Sequence, residues 1–433
     1  MKVQKKEVVV FEYELIKDVE LKSDLLSHVV IFPELESYLS VSTKGIKFTH
    51  YTGIIQTDRF QVNVLPKIWS KERSRQKLEG TKRNLMQLFT YAVQDPKLFE
   101  KYSTLGVGED KLNIVDFLIR LYSISLKIEL EKGLYKTYVA NHAIQNYLRG
   151  QLILTEQVNK IDKSSFSVRE YNYTSENKLN IFFKYSTDLF FKLTTDSVNI
   201  RNLELIMNIL RTEVNSPINK EEFELHFDRI NSRFEAPYSF SKLIQSGKIS
   251  KSGVGRNTMM FLYDMNKIFE RFLYNFLKNS KDRIFENYQE IKIIPQSDGL
   301  NFLYEDGRPQ RSTIPDIVLR KKDANVLVID TKYKLIEDSK AISAEDSDVE
   351  GNHRINMSDL YQMFTYSEIY GTDVLLVFPS RGRKVVEGPY RFLSDSKQLW
   401  IAWLNLDFES TDWEKISISS MKEDFDKILS VVR

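Results

Sequence analysis

The residues best suited to chemistry are two aspartates and a lysine in the C-terminal half of the chain. Asp316 follows Pro315 at the start of one apolar run, and a second run from Asn325 closes with Asp330 and Lys332. A short charged turn joins the two runs, so we predict a hairpin that brings Asp316 beside Asp330. Alternate side chains of a strand point the same way, so Asp330 and Lys332 share a face.

Two neighbouring carboxylates repel each other unless a cation lies between them. Mg²⁺ suits such a pair, with Mn²⁺ as the alternative, because it keeps several waters and binds one or two carboxylates together with a substrate phosphate. Lys332 beside this metal can orient or deprotonate a water, or neutralise charge on the phosphate. We therefore predict that Asp316, Asp330 and Lys332 are catalytic and that both aspartates bind metal, an arrangement that can cut a phosphodiester.

The Asp/Glu-X-Lys triplet by itself carries no information, because the chain contains eight of them. Only the triplet at Asp330 follows a strand that looks buried and is preceded by a Pro-Asp pair at hairpin distance. The residues leave an alternative open, in which Asp330 and Lys332 form an ordinary exposed ion pair and Asp316 is a turn residue.

Two further positions are candidates for supporting roles. Gln362 and Tyr366 lie one turn apart in a predicted helix and could face the site, with simple helix packing as the alternative. Lys334 shares a face with Lys332 and is the alternative lysine, but the spacing from Asp330 favours Lys332.

Three regions that differ in their predicted secondary structure must position these residues. Residues 1–70 look β-rich, with a hairpin that ends at Pro66. Residues 71–254 look mainly helical, with a strand-like insert at about 166–185. Residues 255–433 open with a helix and continue with strands and helices. The chain is thus predicted to be a multidomain α+β protein whose C-terminal domain is an α/β domain with a mixed sheet.

Local patterns within these regions give four more specific expectations. The spacing of apolar residues predicts helices over residues 141–157 and 259–277. Runs of β-branched and aromatic residues predict strands over residues 166–171 and 179–185.

Composition narrows the class of protein further. The chain has 62 Lys and Arg residues and 60 Asp and Glu residues, so its net charge is +2. A net charge this small does not by itself attract the chain to nucleic acid or membrane. The absence of cysteine excludes disulfides, a thiol nucleophile and cysteine-based zinc sites. Without a Gly-x-x-x-x-Gly-Lys-Ser/Thr loop we expect no nucleotide site. No apolar run is long enough to span a membrane, and acidic residues interrupt the N-terminus, so we expect a cytoplasmic protein.

The chain resembles a known family of nucleases. Pro315-Asp316 followed by Asp330-X-Lys332 is similar to the core of the PD-(D/E)XK, or restriction-endonuclease-like, superfamily. Other segments look like McrC, the nuclease subunit of McrBC-type restriction systems. These segments, in the expected order along the chain, are Val64–Lys67, Lys132–Tyr135, Leu148–Gln151, Phe261–Phe272, Val328–Lys334 and Asp359–Tyr366.

This resemblance implies more than the residues themselves indicate. McrC proteins work with McrB, a GTP-hydrolysing AAA+ ring that typically recognises modified DNA; McrC inserts its N-terminal part into the ring and stimulates GTP hydrolysis. We therefore expect a Mg²⁺-dependent DNA endonuclease subunit of a modification-dependent restriction system in antiviral defence. Residues 255–433 would form the PD-(D/E)XK nuclease domain and cut modified double-stranded DNA, while residues 71–254 would dock to the ring.

The superfamily also implies a third acidic residue on the helix before the sheet. Glu270 is that candidate catalytic residue, with a solvated pairing to Lys267 or Arg271 as the alternative. A paired cut would need two nuclease domains, so dimerisation through this domain is expected. Two other functions remain open: a regulatory, DNA-binding subunit of a ring NTPase without cleavage activity, and a nuclease that acts alone.

Overall fold

The computed structural model describes residues 5–31, 33–43, 45–57, 59–70, 75–93, 113–216, 225–246, 248–251, 257–296, 300–305, 308–336, 355–382, 384–392, 397–408 and 412–431. Its strands are, in chain order, β1 (Lys6–Phe11), β2 (Leu39–Ser42), β3 (Gly45–Phe48), β4 (Tyr51–Gln56), β5 (Phe60–Leu65), β6 (Thr137–Gln145), β7 (Gln151–Leu152), β8 (Phe166–Thr174), β9 (Lys248–Lys251), β10 (Asn257–Asp264), β11 (Ile291–Pro295), β12 (Leu300–Glu305), β13 (Arg308–Thr313), β14 (Ile317–Lys321), β15 (Ala324–Thr331), β16 (Asp373–Ser380), β17 (Glu387–Arg391) and β18 (Gln398–Asn405).

Its α-helices are, in chain order, α1 (Val19–Ile31), α2 (Arg75–Ala92), α3 (Ile114–Glu131), α4 (Leu154–Asn159), α5 (Lys178–Leu193), α6 (Ser197–Glu213), α7 (Glu235–Gln245), α8 (Met265–Asn279), α9 (Lys281–Ile284), α10 (Met357–Tyr370) and α11 (Trp413–Val431). None of these helices combines the length and the apolar character needed to cross a membrane. The mixture of helices with mixed sheets confirms the predicted multidomain α+β class.

The chain divides into two compact units. Unit 1 combines residues 1–111 with residues 247–433, and unit 2 comprises residues 112–246. This grouping differs from the three predicted regions, because helix α2 groups with unit 1. The reason is packing: the ring of Tyr91 in α2 lies against Phe272 and Trp413, which come from the C-terminal part of the chain.

The first sheet of unit 1 has the strand order β1-β5-β4-β10-β9. Strands β4 and β5 form the predicted hairpin, which is confirmed, and β10 pairs antiparallel with the other edge of β4. Gly53 in β4 is required at this junction, because its φ is +143° and an added Cβ would lie 1.9 Å from the carbonyl oxygen of Phe261. Two distant segments of the sequence therefore share one sheet.

Strand β10 ends at Asp264 and α8 begins at Met265, so no loop separates the first sheet from this helix. Asp264 caps the helix by accepting a hydrogen bond from the backbone N–H of Asn266 at 2.9 Å. The helix predicted over residues 259–277 is therefore confirmed from Met265 onward but wrong for residues 259–264, which lie in β10. Met259 to Tyr263 are apolar and fit a helical stripe, but they pair with β4 instead.

The second sheet of unit 1 has the order β11-β14-β15-β16-β18-β17 and is mixed, as predicted. β14 and β15 pair antiparallel, whereas β15, β16 and β18 run parallel. Helix α10 covers one face, and its Met363 and Tyr366 belong to the same buried apolar cluster as Val328 and Val374 of the sheet. Helix and sheet together fix the positions of residues that follow β15 and line α10.

Unit 2 contains the helices α3, α5, α6 and α7 and a small antiparallel sheet in the order β6-β8-β7. The strand predicted over residues 166–171 is confirmed within β8. The strand predicted over residues 179–185 was wrong, because its aromatic run lies in α5, where Phe182 and Phe183 are buried. The helix predicted over residues 141–157 was wrong over most of its length, since residues 141–145 lie in β6, residues 151–152 form β7, and only residues 154–157 are helical, in α4.

One face of this small sheet carries exposed apolar side chains. Tyr138 pairs with Tyr173, and Ala140 pairs with Tyr171, so the three tyrosines share a face with Ile144 two strand repeats further on. The exposed fractions of Tyr138 and Tyr173 are 69% and 62%, and their ring centroids lie 5.1 Å apart. We call Tyr138, Ile144, Tyr171 and Tyr173 the aromatic face.

Candidate functional site

The pairing of β14 with β15 brings the two predicted aspartates together. Ile317 pairs with Ile329, which places Asp316, just before β14, level with Asp330 in β15. The Oδ2 atom of Asp316 accepts hydrogen bonds from the backbone N–H of Thr331 at 2.7 Å and from its hydroxyl at 2.6 Å. Asp316 is therefore held to the last residue of the neighbouring strand and is not a free turn residue.

Asp330 and Lys332 form a close pair at the end of β15. Asp330 is 2% exposed, and its Oδ2 lies 2.6 Å from the Nζ of Lys332. Burial, together with the charge of Asp316, raises the pKa of Asp330 to about 7, although Lys332 acts in the opposite direction. Burial works to lower the pKa of Lys332, but Asp330 outweighs it and the pKa is raised. This pair is buried, unlike the exposed ion pair of the alternative interpretation.

A chain of hydrogen bonds from α10 orients the lysine. Lys332 Nζ donates to Gln362 Oε1 at 2.9 Å, and Gln362 Nε2 donates to the hydroxyl of Tyr366 at 2.8 Å. The Tyr366 hydroxyl in turn donates to the carbonyl oxygen of Ile314 at 3.0 Å. Burial raises the pKa of Tyr366, so this hydroxyl keeps its proton. The structure thus brings Gln362 to Lys332, while Tyr366 also packs in the core.

Lys334 has a different partner from Lys332. Its Nζ lies 2.6 Å from Oδ2 of Asp359, which is buried in the first turn of α10. Asp359 and Thr331 are two of the site neighbours that sequence reasoning missed. Thr331 stands between Asp330 and Lys332, and Asp359 opens the segment that resembles McrC, so both had a signal in the sequence.

Glu270 approaches the same end of the sheet from α8. Burial raises the pKa of Glu270, and the charge of Asp316 acts in the same direction. Its Oε1 accepts a hydrogen bond from Gln296 Nε2 at 2.7 Å. Lys267 and Arg271 affect its pKa less than burial and Asp316 do. The structure therefore brings Glu270 toward the aspartates.

The donor set can be tested against a divalent cation. Asp316 and Asp330 offer carboxylate oxygens side by side, and burial together with the charge of Asp316 raises the pKa of Asp330 although Lys332 acts in the opposite direction. Within the described ranges no three His, Cys, Asp or Glu side chains form a ready-made cage. Mg²⁺ needs none, because it takes one or two carboxylates and completes its shell with water and substrate phosphate.

A second buried polar cluster lies directly beside the site. The backbone N–H of Lys67 donates to Glu12 Oε2 at 2.8 Å, and Lys67 Nζ lies 4.7 Å from the ring centroid of Tyr13 and 5.2 Å from that of Tyr333. Tyr333 is 2% exposed and follows Lys332 in the chain. The segment that follows β5 therefore contacts the residue next to the candidate catalytic lysine.

The Glu12→Gln variant should have a higher melting temperature than the wild type at pH 8, and the gap should narrow as the pH falls to 5. Burial raises the pKa of Glu12 from 4.5 to about 7, although Lys67 acts in the opposite direction. Between these two pH values the folded chain therefore keeps a proton on Glu12 that the unfolded chain has lost. This proton contributes its full stabilisation below pH 4.5, the ordinary pKa, and the contribution is lost as the pH rises to about 7, the raised pKa in the folded chain. The free energy of unfolding therefore changes by at most about 3 kcal/mol over this range.

Thermal denaturation followed by circular dichroism at both pH values would measure this gap. Glu36→Gln, at an exposed carboxylate, is the control and should shift the melting temperature little at either pH. An equal gap at pH 5 and pH 8 would show that the charge of Glu12 is not the cause.

The fold and site together define a multidomain α+β protein with a carboxylate–lysine site at the end of a mixed sheet. A family model described as McrBC 5-methylcytosine restriction system component matches residues 46–379. The chain therefore belongs to the McrBC family, which confirms the resemblance to McrC. No curated protein matches the chain.

The overall fold is similar to a solved structure from Thermococcus gammatolerans, the refined half-complex from a tetradecameric assembly of McrB AAA+ hexamers with bound McrC. The identity is 19%, the TM-score is 0.57, and the match covers 98% of this chain and all of that one. A weaker likeness is to the cryo-EM structure of the McrBC complex from the same organism. There the identity is 22%, the TM-score is 0.44, and 64% of this chain and 88% of that one are covered.

Proposed function

We propose that this chain is the Mg²⁺-dependent DNA endonuclease subunit of a McrBC-like restriction system, and that residues 255–433 form a PD-(D/E)XK nuclease domain. The observation that carries the proposal is the meeting of Asp316, Asp330 and Lys332 at the ends of two adjacent strands. Their spacing in the sequence matches the superfamily, and membership of the McrBC family supports the same activity.

Asp316 and Asp330 would hold the metal, with Glu270 as a supporting acid on the Asp316 side. When bound, Mg²⁺ supplies a Lewis acid at the scissile phosphate and lowers the pKa of its water. Thr331 holds Asp316 by two hydrogen bonds, so one of its carboxylate oxygens is already positioned.

Lys332 acts as a cation in this scheme. Its pKa is raised, since Asp330 lies beside it, so the ammonium form is favoured over the neutral amine that a general base requires. Of the two roles predicted for Lys332, the neutralisation of charge on the phosphate is therefore the better supported. Gln362 limits the directions in which the ammonium group can point.

The part of the chain before residue 255 would dock to an AAA+ GTPase ring and stimulate its hydrolysis. The solved Thermococcus gammatolerans assembly contains McrB AAA+ hexamers with bound McrC, and the present chain is similar in fold to the matched chain of that assembly. The aromatic face of unit 2 supports a docking role, because clustered exposed tyrosines are typical of protein interfaces. The partner would also supply the recognition of modified double-stranded DNA.

A double-strand cut would need two nuclease domains, so we also propose dimerisation through residues 255–433 in the assembled complex. Such a complex would act in the cytoplasm.

The decisive experiment is cleavage of methylated and unmethylated plasmid DNA in Mg²⁺. The chain would be assayed alone, with a McrB-like AAA+ GTPase, and with that GTPase and GTP. We expect cleavage only in the complete mixture, lost in Asp330→Asn. Full biological activity in Asp330→Asn, with stimulated GTP hydrolysis, would instead support the regulatory subunit without cleavage activity. Cleavage without any partner would show a nuclease that acts alone.

A further inference from the structure

We propose that Gln296 is a positioning residue that holds the Glu270 carboxylate on the Asp316 side of the proposed metal site, where its negative charge favours a bound cation. This inference rests on the proposed nuclease function. Gln296 directly follows β11, whose last residue, Pro295, pairs with Ile317. The pairing places Gln296 level with Asp316 on the neighbouring strand.

Gln296 contacts both acidic residues at once. Its backbone N–H donates to the carbonyl oxygen of Asp316 at 2.8 Å, and its side-chain Nε2 donates to Oε1 of Glu270 at 2.7 Å. The first bond fixes the Gln296 backbone to the strand that begins after Asp316. The second fixes a carboxylate that comes from a different element, α8. One residue therefore links the Glu270 carboxylate to the backbone of Asp316.

The backbone of Gln296 has an unfavourable conformation. Its φ is +33°, in the region where glycine is favoured, and among the described residues the only other non-glycine positions with positive φ are Tyr13 and Lys322. A glycine at this position would remove the strain but also the amide that binds Glu270. Strain of this kind clusters at functional sites, and here the strained residue is the one that joins the two acids.

Glu270 needs a partner to stay in place. The negative charge of Asp316 acts on its carboxylate, and its own helix offers two competing cations, Lys267 and Arg271. Without the Gln296 amide, repulsion from Asp316 and attraction to those cations would both turn Glu270 away from the aspartates. The amide offsets the repulsion by donating a hydrogen bond to the ionised carboxylate.

Two variants at this position separate the side chain from the backbone. Gln296→Gly removes the amide and relieves the strain, whereas Gln296→Ala removes the amide and keeps the strain. Both should weaken Mn²⁺ binding by the full-length chain about tenfold in titration calorimetry, and both should raise the Mg²⁺ concentration for half-maximal cleavage by a similar factor. Cleavage at saturating Mg²⁺ should change much less.

Melting temperatures make the test specific. Gln296→Gly should melt at or above the wild-type temperature although it binds Mn²⁺ more weakly, and Gln296→Ala should melt below Gln296→Gly. A residue with a purely structural role would lose stability and metal binding together. Lys322→Gly, at the β14–β15 turn where φ is +53°, is the matched control and should leave Mn²⁺ affinity unchanged.

The outcomes distinguish this inference from the proposed function. If wild type binds Mn²⁺, Asp330→Asn does not, and Gln296→Gly binds as tightly as wild type, the positioning role of Gln296 is overturned and the metal site stands. If wild type shows no binding that depends on Asp330, the metal site is overturned and the role of Gln296 with it. A tenfold loss in both Gln296 variants, with the Gly variant at least as stable as wild type, would establish the positioning role.

Discussion

Lys332→Ala should lower the rate of DNA cleavage by about 10³-fold, while Lys334→Ala lowers it by less than about tenfold. The two lysines stand two residues apart and both are largely buried, but their partners differ. Lys332 lies 2.6 Å from Asp330, a proposed metal ligand, whereas Lys334 pairs with Asp359. Only Lys332 is placed to meet negative charge that develops on the phosphate beside the metal.

The same two variants should have the opposite order in stability. Lys334→Ala leaves the buried carboxylate of Asp359 without its cation, and the loss of one partner of a buried pair typically costs about 3 kcal/mol. Lys332→Ala costs less, because burial has already raised the pKa of Asp330 to about 7 and a proton can replace the lysine charge. Lys332→Ala should therefore show the larger loss of cleavage rate, and Lys334→Ala should show the larger loss of stability.

Single-turnover cleavage with partner and GTP at saturating Mg²⁺ would measure the rates, and thermal denaturation would measure stability. Gel shift with Ca²⁺ in place of Mg²⁺ would check that both variants still bind DNA. Equal losses of rate in the two variants would contradict the assignment of Lys332, and a larger loss in Lys334→Ala would transfer the role to Lys334.

Replacing Tyr138 and Tyr173 together with serine should abolish the stimulation of the partner GTPase and weaken partner binding by about 100-fold. The two rings lie directly opposite each other on the aromatic face and are mostly exposed. Their truncation removes little that the folded chain needs, so the melting temperature should stay within about 2 °C of wild type. Buried at an interface, however, tyrosines of this kind commonly dominate the binding free energy.

GTP hydrolysis by the partner, measured while the chain is titrated in, would give both the affinity and the maximal stimulation. Leu205→Ser, at another exposed apolar position of unit 2, is the control and should behave as wild type. Normal stimulation by the double variant would place the docking surface elsewhere on the chain. A large drop in melting temperature would mean that the two tyrosines stabilise the unit itself.

The local geometry of the candidate site was largely predictable from the sequence. The Pro-Asp pair, the charged turn and the second apolar run together predict the pairing of β14 with β15, because a two-residue repeat fixes which side chains share a face. The catalytic roles of Asp316, Asp330 and Lys332 stay predictions that the geometry supports. The bonds from Thr331, Gln296 and Asp359 were not predictable, since they join side chains whose relative positions depend on how the strands and helices pack.

The errors in secondary structure have a common physical origin. Residues 179–185 are rich in aromatic residues, which favour strands, yet the helix buries those rings and so outweighs local propensity. Residues 259–263 fit a helical stripe, but an open edge of β4, about 200 residues earlier in the chain, offers a strand partner that no local pattern reveals. Both errors occur where a long-range contact decides between two locally acceptable structures.

The strand order of the first sheet has a consequence for synthesis on the ribosome. β4 ends at Gln56, but β10, which pairs with it, begins only at Asn257. At a synthesis rate of about 5–20 residues per second, the edge of β4 that later pairs with β10 stays unpaired for about 10–40 s. Residues 112–246 form a compact unit of their own and can fold during this delay.

An apolar strand edge left open for this long can pair with the same edge of another nascent chain. We therefore expect aggregation of newly made chains to depend on translation speed and chaperone supply more than on the stability of the finished protein.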